Sequence, residues 1–309
     1  MDIFFQQVIN GLVLGSVYAL VALGYTMVYG ILGLINFAHG EVVMVGAMVA
    51  LATVAYLFGY FPEMNPIVMV LIAATTSVIS CMVLSYFIER LAYRPLRKAP
   101  RLAPLITAIG ISILLQNLAM IIWGRQYKTV PKIFSFETRE FLGANITDLQ
   151  IFIIVLSAIL MTLLLFIVNY SKLGRAMRAT SESQRIAGLL GVNINKIISF
   201  TFVIGAGLGA VAGILVAANY SVAHYSMGFM LGLKAFTAAV LGGIGNLGGA
   251  VLGGLLLGLI ESIGAGYIGD ITGGFLGSHY QDVFAFLVLI IVLVFRPTGI
   301  MGERVSERA

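Results

Sequence analysis

Small groups of polar residues interrupt an otherwise apolar chain, and their types suggest handling of a polar solute more than bond chemistry. GILGLINFAHGE, residues 30–41, brings Asn36, His39 and Glu41 close together beside three glycines. KAFTAAVLGGIGNLGG, residues 234–249, carries Lys234, Thr237 and Asn246, and Glu261 stands in the apolar sequence that follows. Ionisable and carboxamide groups at membrane depth are candidates for a translocation path. Each also has a plainer reading. Glu41 can cap the following helix from a short interfacial turn. Glu261 can serve as a structural partner for Lys234, because a buried unpaired charge is costly. A further group, SKLGRAMRATSESQRIAGLLGVNINK at 171–196, sets Lys172, Arg175, Arg178, Arg185 and Lys196 against the single acid Glu182. A basic amphipathic helix between two apolar runs is suited to take a push from a soluble partner. A solvated cytoplasmic loop is the plainer alternative.

Catalytic and metal-binding patterns are missing. The chain has no GxxxxGK[ST] phosphate loop and no Gly-Lys pair at all, so energy from ATP would have to come from another chain. GxSxG, HExxH and paired-cysteine motifs are also absent. His39, His224 and His279 are far apart in sequence, and Cys81, the only cysteine, lies in an apolar span as core filler. No catalytic residue and no metal ligand is assigned. An intramembrane hydrolase would need a buried nucleophile with a base in reach, and no spacing suggests one. Glu261 and Lys234 keep an ion-coupled secondary carrier in view, although such carriers usually display more intramembrane ionisable groups.

The elements that must position these residues follow from composition. Mean hydropathy is +1.03, and 60% of residues are hydrophobic against 10% charged. A soluble fold would have about 25% charged residues. Repeated apolar runs of roughly 20 residues predict an all-α, polytopic helical membrane protein. The net charge of +5 reflects basic loops obeying the positive-inside rule and does not point to nucleic acid. MDIFFQQVIN lacks a basic leader region, so the first span is expected to remain in the chain.

The expected spans lie near Val8–Tyr29, Gly40–Gly59, Ile67–Ile88, Leu105–Trp123, Leu149–Tyr170, Ile197–Asn219, Gly248–Gly266 and Val283–Phe295. The basic segment ERLAYRPLRKAPRLAP, residues 89–104, is expected to be a cytoplasmic loop, and 124–148 an external one. Eight spans would place both termini outside, against the preference of Arg296, Arg304 and Arg308. A short crossing helix near Phe229–Gly245 removes the conflict, giving about 8–9 spans plus broken helices. Gln116 and Asn117 are expected to face the bundle. Gly205, Gly209 and Gly213 recur every fourth residue, as do Gly249/Gly253 and Gly254/Gly258, which allows close helix contact. GYTMVYGILGLINFAHG and KAFTAAVLGGIGNLGG echo each other weakly, as in a duplicated transporter scaffold. The whole of 1–309 is read as a single transmembrane domain.

The segments MVYGILGLINFAHGE, AYRPLR, LGRAMRA, AGLLGVN, KAFTAAVLGGIGNLGGAVLGG and RPTGI, in this order along the chain, resemble the permease subunit of bacterial branched-chain amino acid ABC importers. The resemblance implies a multi-pass protein of the bacterial inner membrane. It implies a second, homologous permease, two cytoplasmic ABC ATPases and a periplasmic binding protein as partners, with the lipid bilayer around them. No cofactor is implied in this chain, since ATP and magnesium belong to the ATPases. The segment matching 174–192 is similar to the coupling helix that seats on the ATPase, with Gly174, Arg175, Arg178, Ala179, Glu182, Ala187 and Gly191 as contacts. It departs from the Glu-Ala-Ala pattern of other importers by having Arg-Ala at 175–176 and 178–179. The broken stretches imply a path through Asn36, His39, Glu41, Lys234, Thr237, Asn246 and Glu261. Leucine, isoleucine and valine are the expected ligands. Similar permeases serve urea, short amides or other amino acids, which stand as alternatives.

Overall fold

The computed structural model describes residues 2–100, 102–131, 137–141, 143–271 and 280–302. Arg101, Lys132, His279, Arg304 and Arg308 lie outside the described residues. The described residues form eleven α-helices, in order: α1 Asp2–Leu32, α2 His39–Tyr60, α3 Pro66–Ile88, α4 Leu102–Trp123, α5 Asp148–Tyr170, α6 Lys172–Glu182, α7 Gln184–Leu189, α8 Ile194–Tyr220, α9 Met227–Gly242, α10 Leu247–Ile271 and α11 Gln281–Phe295. Among the described residues, seven helices are long and apolar enough to cross a membrane: α1, α2, α3 with the turn that continues it, α4, α5, α8 and most of α10. The short crossing helix expected near 229–245 is the 16-residue α9. At 1.5 Å per residue it spans about 24 Å, short of the ~30 Å hydrocarbon layer.

Local chemistry sets the helix ends. Asn65 Oδ1 accepts from the Ile67 amide at 2.9 Å, with Pro66 at the first helical position. Ser171 caps α6 through the Gly174 amide, and Asn193 caps α8 through the Lys196 amide. Gly33 and Gly191 take left-handed φ values of 63° and 87° at the ends of α1 and of the α7 turn. The basic segment after α3 is wound, where the sequence suggested an open loop. A π turn covers Glu89–Tyr93 and a 3-10 turn Pro95–Lys98, because buried Glu89 draws Arg97 back onto it. The 124–148 connection also contains strand. β1 (Lys128–Thr129) pairs with β4 (Val222–Ala223), and β2 (Thr138–Phe141) pairs antiparallel with β3 (Ala144–Thr147).

The chain separates into two compact units. One comprises Met27–Ser135 and Phe166–Leu233, and its core is α2, α3 and α8. Small residues let these helices touch. A methyl group at Gly46 would lie 2.7 Å from Ala210 Cα, and one at Gly213 would meet the Val43 carbonyl oxygen. Polar side chains in this core bond backbone carbonyls, which satisfies them inside lipid. Ser77 donates to the Gly46 carbonyl at 2.7 Å, and Ser85 to the Phe202 carbonyl at 3.0 Å. The outward faces of α3 and α4 carry exposed Ile79, Val83, Ile113 and Ile121, as helices in contact with lipid tails require.

The second unit comprises Met1–Thr26, Phe136–Leu165 and Lys234–Ala309. Here α1 and α10 cross through glycine. Methyl groups at Gly11 and Gly15 would each lie 2.8 Å from a Cα of α10, at Leu259 and Leu255. Gly242 and Gly253 bring α9 equally close to α10. Asn246 sits in the break between those helices, where it accepts from the Gly249 amide at 3.0 Å and donates to the Met301 carbonyl at 3.0 Å.

Replacing Gly213 by leucine sets a side chain against the Val43 backbone, which rotamer changes cannot relieve. The expected loss is at least about 3 kcal/mol, the upper end of ordinary overpacking, read as a fall in the thermal midpoint of the detergent-solubilised protein. Gly59→Leu, where a Cβ would meet open space, should leave that midpoint unchanged.

Candidate functional site

The broken stretch after α1 delivers a chain of buried polar groups. Asn36 Oδ1 accepts from the Tyr93 hydroxyl at 2.7 Å, and the Asn36 carbonyl accepts from the His39 amide at 2.9 Å. His39 is buried at the start of α2, its ring against Gly209 of α8. Glu41 is fully buried one residue beyond Gly40. Its Oε1 accepts from Ser112 Oγ at 3.1 Å and from Gln116 Nε2 at 2.6 Å, both on α4. Glu41 therefore binds a neighbouring helix and does not cap its own. Its Oε2 is buried with no hydrogen-bond partner. Gln116 faces inward as the sequence suggested, whereas Asn117 is exposed and bonds the Ile113 carbonyl of its own helix.

Glycine covers this acid. A methyl group at Gly40 would lie 2.5 Å from the Gly228 carbonyl oxygen and 2.9 Å from Gly232 Cα. One at Gly228 would lie 2.5 Å from the Gly40 carbonyl oxygen and 2.6 Å from Glu41 Oε2. The first turns of α2 and α9 thus meet backbone to backbone directly over the carboxylate. Beside it, Met44 and Met48 pack with Ala47, Leu51 and Ala119, and Met227 lies against the same cluster.

The other unit holds a buried ion cluster in which two acids face one lysine. Lys234 Nζ donates to Glu261 Oε1 at 2.7 Å. Asp282 Oδ1 lies 2.7 Å from the same nitrogen as an ion pair without hydrogen-bond alignment. Tyr18 Oη donates to Glu261 Oε2 at 3.0 Å. Helices α1, α9, α10 and α11 meet at this cluster. Thr237 is buried one turn along α9 from Lys234. The Lys234–Glu261 pairing was legible as a possibility in the sequence. Tyr18 and Asp282 were missed, since nothing in their spacing connects them to Lys234.

The basic island folds into two helices hinged at Ser183, whose hydroxyl caps α7 through the Ile186 amide. Its residues divide by exposure. Gly174 and Ala187 are buried, and Gly174 abuts the backbone of the last turn of α5. Arg178 donates to the Val168 and Asn169 carbonyls, so it satisfies the open C-terminus of α5 and complements its dipole. Arg175, Glu182 and Gly191 are exposed and Ala179 is half-buried. Ile186, Leu189 and Leu190 form an exposed apolar tip, which the charge pattern had hidden. Gln184 Nε2 donates to the Ile31 carbonyl at 3.0 Å, tying the island to the last turn of α1 just before the broken stretch.

A second tie runs from the turn after α3 to the start of α8. Glu89 is fully buried, accepts from Arg97, and accepts from Ser199 Oγ at 2.6 Å. Arg97 also donates to Asn195 Oδ1 at 2.7 Å. Burial lowers the Arg97 guanidinium below its ordinary range, and the Glu89 charge offsets part of that. Among the described residues, no group of three or more metal-binding side chains is assembled.

Residues 7–293 match the family described as branched-chain amino acid transport system, permease component. The chain is 48% identical over 309 residues to the high-affinity branched-chain amino acid transport system permease protein BraD of Pseudomonas aeruginosa, a match covering 99% of this chain and 98% of that protein. It is 43% identical over 311 residues to the permease protein LivH of Escherichia coli, covering 99% and 97%. A probable LivH of Methanocaldococcus jannaschii is 29% identical over 304 residues, covering 97% and 94%.

Truncating Lys234 leaves two acids facing each other in the bundle. Lys234→Met is expected to destabilise the protein by about 3–5 kcal/mol, as for other broken buried pairs. The double replacement Lys234→Met/Glu261→Gln should recover part of the loss. The fraction surviving a heat challenge in detergent measures both.

Proposed function

This chain belongs to the family of permease components of branched-chain amino acid transport systems, and on that premise we propose that it forms part of the membrane path of a bacterial ATP-driven importer for leucine, isoleucine and valine. The observation that carries the substrate class is the 43–48% identity over nearly the full chain to permeases named for that cargo. The chain itself is a non-catalytic subunit of the inner membrane. A second, homologous permease completes the path, a periplasmic binding protein delivers the ligand, and two cytoplasmic ABC ATPases bind ATP and magnesium. The absence of a phosphate loop from the sequence supports this division of labour.

In this reading the island 171–196 seats on an ATPase. Its exposed apolar tip and Arg175 offer the contact, and Arg178 holds α6 against α5. Closure of the ATPase pair on ATP pushes the island, and the permeases rock between outward- and inward-facing arrangements. The Gln184–Ile31 hydrogen bond supports a route for that push. It joins α7 to the end of α1, and the broken stretch leading to His39 and Glu41 follows at once.

Reconstitution with the partner subunits tests the reading. The complete system should import leucine when ATP is supplied inside the vesicles that carry the ATPase face. Uptake of urea or short amides in place of leucine would remove the substrate assignment. Leucine uptake by this chain alone on an ion gradient would replace the ATP-driven reading with a secondary carrier.

Two island variants should separate hydrolysis from transport while the protein still inserts. Arg178→Glu repels the α5 carbonyls that the arginine now satisfies, and Gly191→Pro cannot adopt the φ of 87° found there. Each is expected to lower uptake by about tenfold or more with ATP hydrolysis retained, taking misdocking as worth at least 1.4 kcal/mol. In a Cys81→Ala background, a cysteine replacing Glu182 should crosslink to the ATPase, identified by mass spectrometry. Labelling of that cysteine only from outside would invert the topology.

A further inference from the structure

Glu41 is a fully buried carboxylate with neutral donors on one oxygen and nothing on the other. None of the ion pairs among the described residues involves it. That contrasts with Glu261 and Glu89, which both have cationic partners. A buried carboxylate without a counter-charge is unfavourable by several kcal/mol, so a cation that reached the second oxygen would be favoured there. Gly228 lies against that oxygen, and beside it Gly40 meets the backbone of Gly228 and Gly232. The first turns of α2 and α9 meet there through glycine backbone, with Met227 of α9 packed against the adjoining cluster. The adjoining surface is apolar and deformable, built around Met44, Met48 and Met227. An acid beside a methionine-rich apolar cluster matches a primary ammonium that carries an aliphatic side chain.

We infer that Glu41 receives the α-ammonium of the transported amino acid when the Gly40–Gly228 seam opens, with the aliphatic side chain directed to the methionine cluster. This rests on the importer reading above and assigns the ligand chemistry of one point on its path. Ser112 and Gln116 hold the carboxylate in place, and the unpaired Oε2 accepts the ammonium. Closure of the seam without ligand leaves that oxygen unsatisfied, which favours release of the closed contact when substrate arrives.

The test uses the complete transporter in proteoliposomes. Glu41→Gln keeps the shape and the Ser112 acceptor but removes the charge. It should reduce leucine uptake at least about tenfold, in line with a lost charge-assisted hydrogen bond, while the loaded binding protein still stimulates ATP hydrolysis. Glu41→Asp should recover part of the uptake. Wild-type rates in Glu41→Gln would overturn the assignment, whereas absence of leucine uptake by the wild-type system would instead overturn the importer reading. A second measurement covers the event that Glu41→Gln does not assemble. Wild-type transporter is treated during turnover with dicyclohexylcarbodiimide, and the Glu41 adduct is quantified by mass spectrometry. Leucine should suppress the adduct. 4-Methylpentanoate, which consumes reagent in the same way but lacks the ammonium, should not. An adduct insensitive to leucine, equal suppression by both compounds, or no adduct at Glu41 would each overturn the proposal.

Discussion

Backbone-to-backbone contact at glycine is the constraint on which the arrangement around Glu41 depends. In lipid, helices gain little from hiding apolar side chains, so association rests on close packing and internal hydrogen bonds. Gly40, Gly46 and Gly213 let α2 lie directly on α8 and α9, and any side chain at these points would meet main-chain atoms. That closeness turns the first residues of α2 inward. It also allows Ser77 and Ser85 to reach carbonyls on neighbouring helices.

Two buried acidic sites, one in each compact unit, are held in different ways. In one, Lys234 meets Glu261 and Asp282, and Tyr18 takes the remaining Glu261 oxygen. Such a cluster welds four helices together and has little reason to open. In the other, Glu41 is held by neutral donors through one oxygen only. A site built to exchange a cation has to be incomplete in its absence, because a satisfied carboxylate would gain nothing from the ligand. The glycine contact serves the same end, since Gly40 and Gly228 meet there through backbone.

The island between α5 and α8 combines an anchor with a free surface. Gly174, Arg178 and Ala187 secure it to the rest of its unit, while Arg175, Glu182 and the tip Ile186–Leu189–Leu190 remain outside. Arg178 looks like surface charge in the sequence, but the last carbonyls of α5 need a donor and it supplies one. Charge pattern alone therefore overstates how much of the island is available to a partner. It also passes over the apolar tip, because residues 186–190 carry no charge.

Seven of the span positions, the breaks at 33–38 and 243–246, and the polar islands were legible in the sequence, because hydropathy period and capping chemistry are local; the span expected near 283–295 is the 15-residue α11, which is too short to be counted with them. The family was legible as well, since its segments recur in order along the whole chain. Local signals could not show that Asn36 meets Tyr93, that Glu41 reaches Ser112 and Gln116, or that Asp282 joins Lys234. These partners are separated by 48 to 75 residues in the chain, as the positions themselves give, and helical period does not encode which helix faces which. The sequence by itself determined which residues enter the membrane and which of them are polar. Only the tertiary structure decided which polar groups are already satisfied and which are left open, because hydrogen-bond satisfaction is a property of neighbouring helices packed in place.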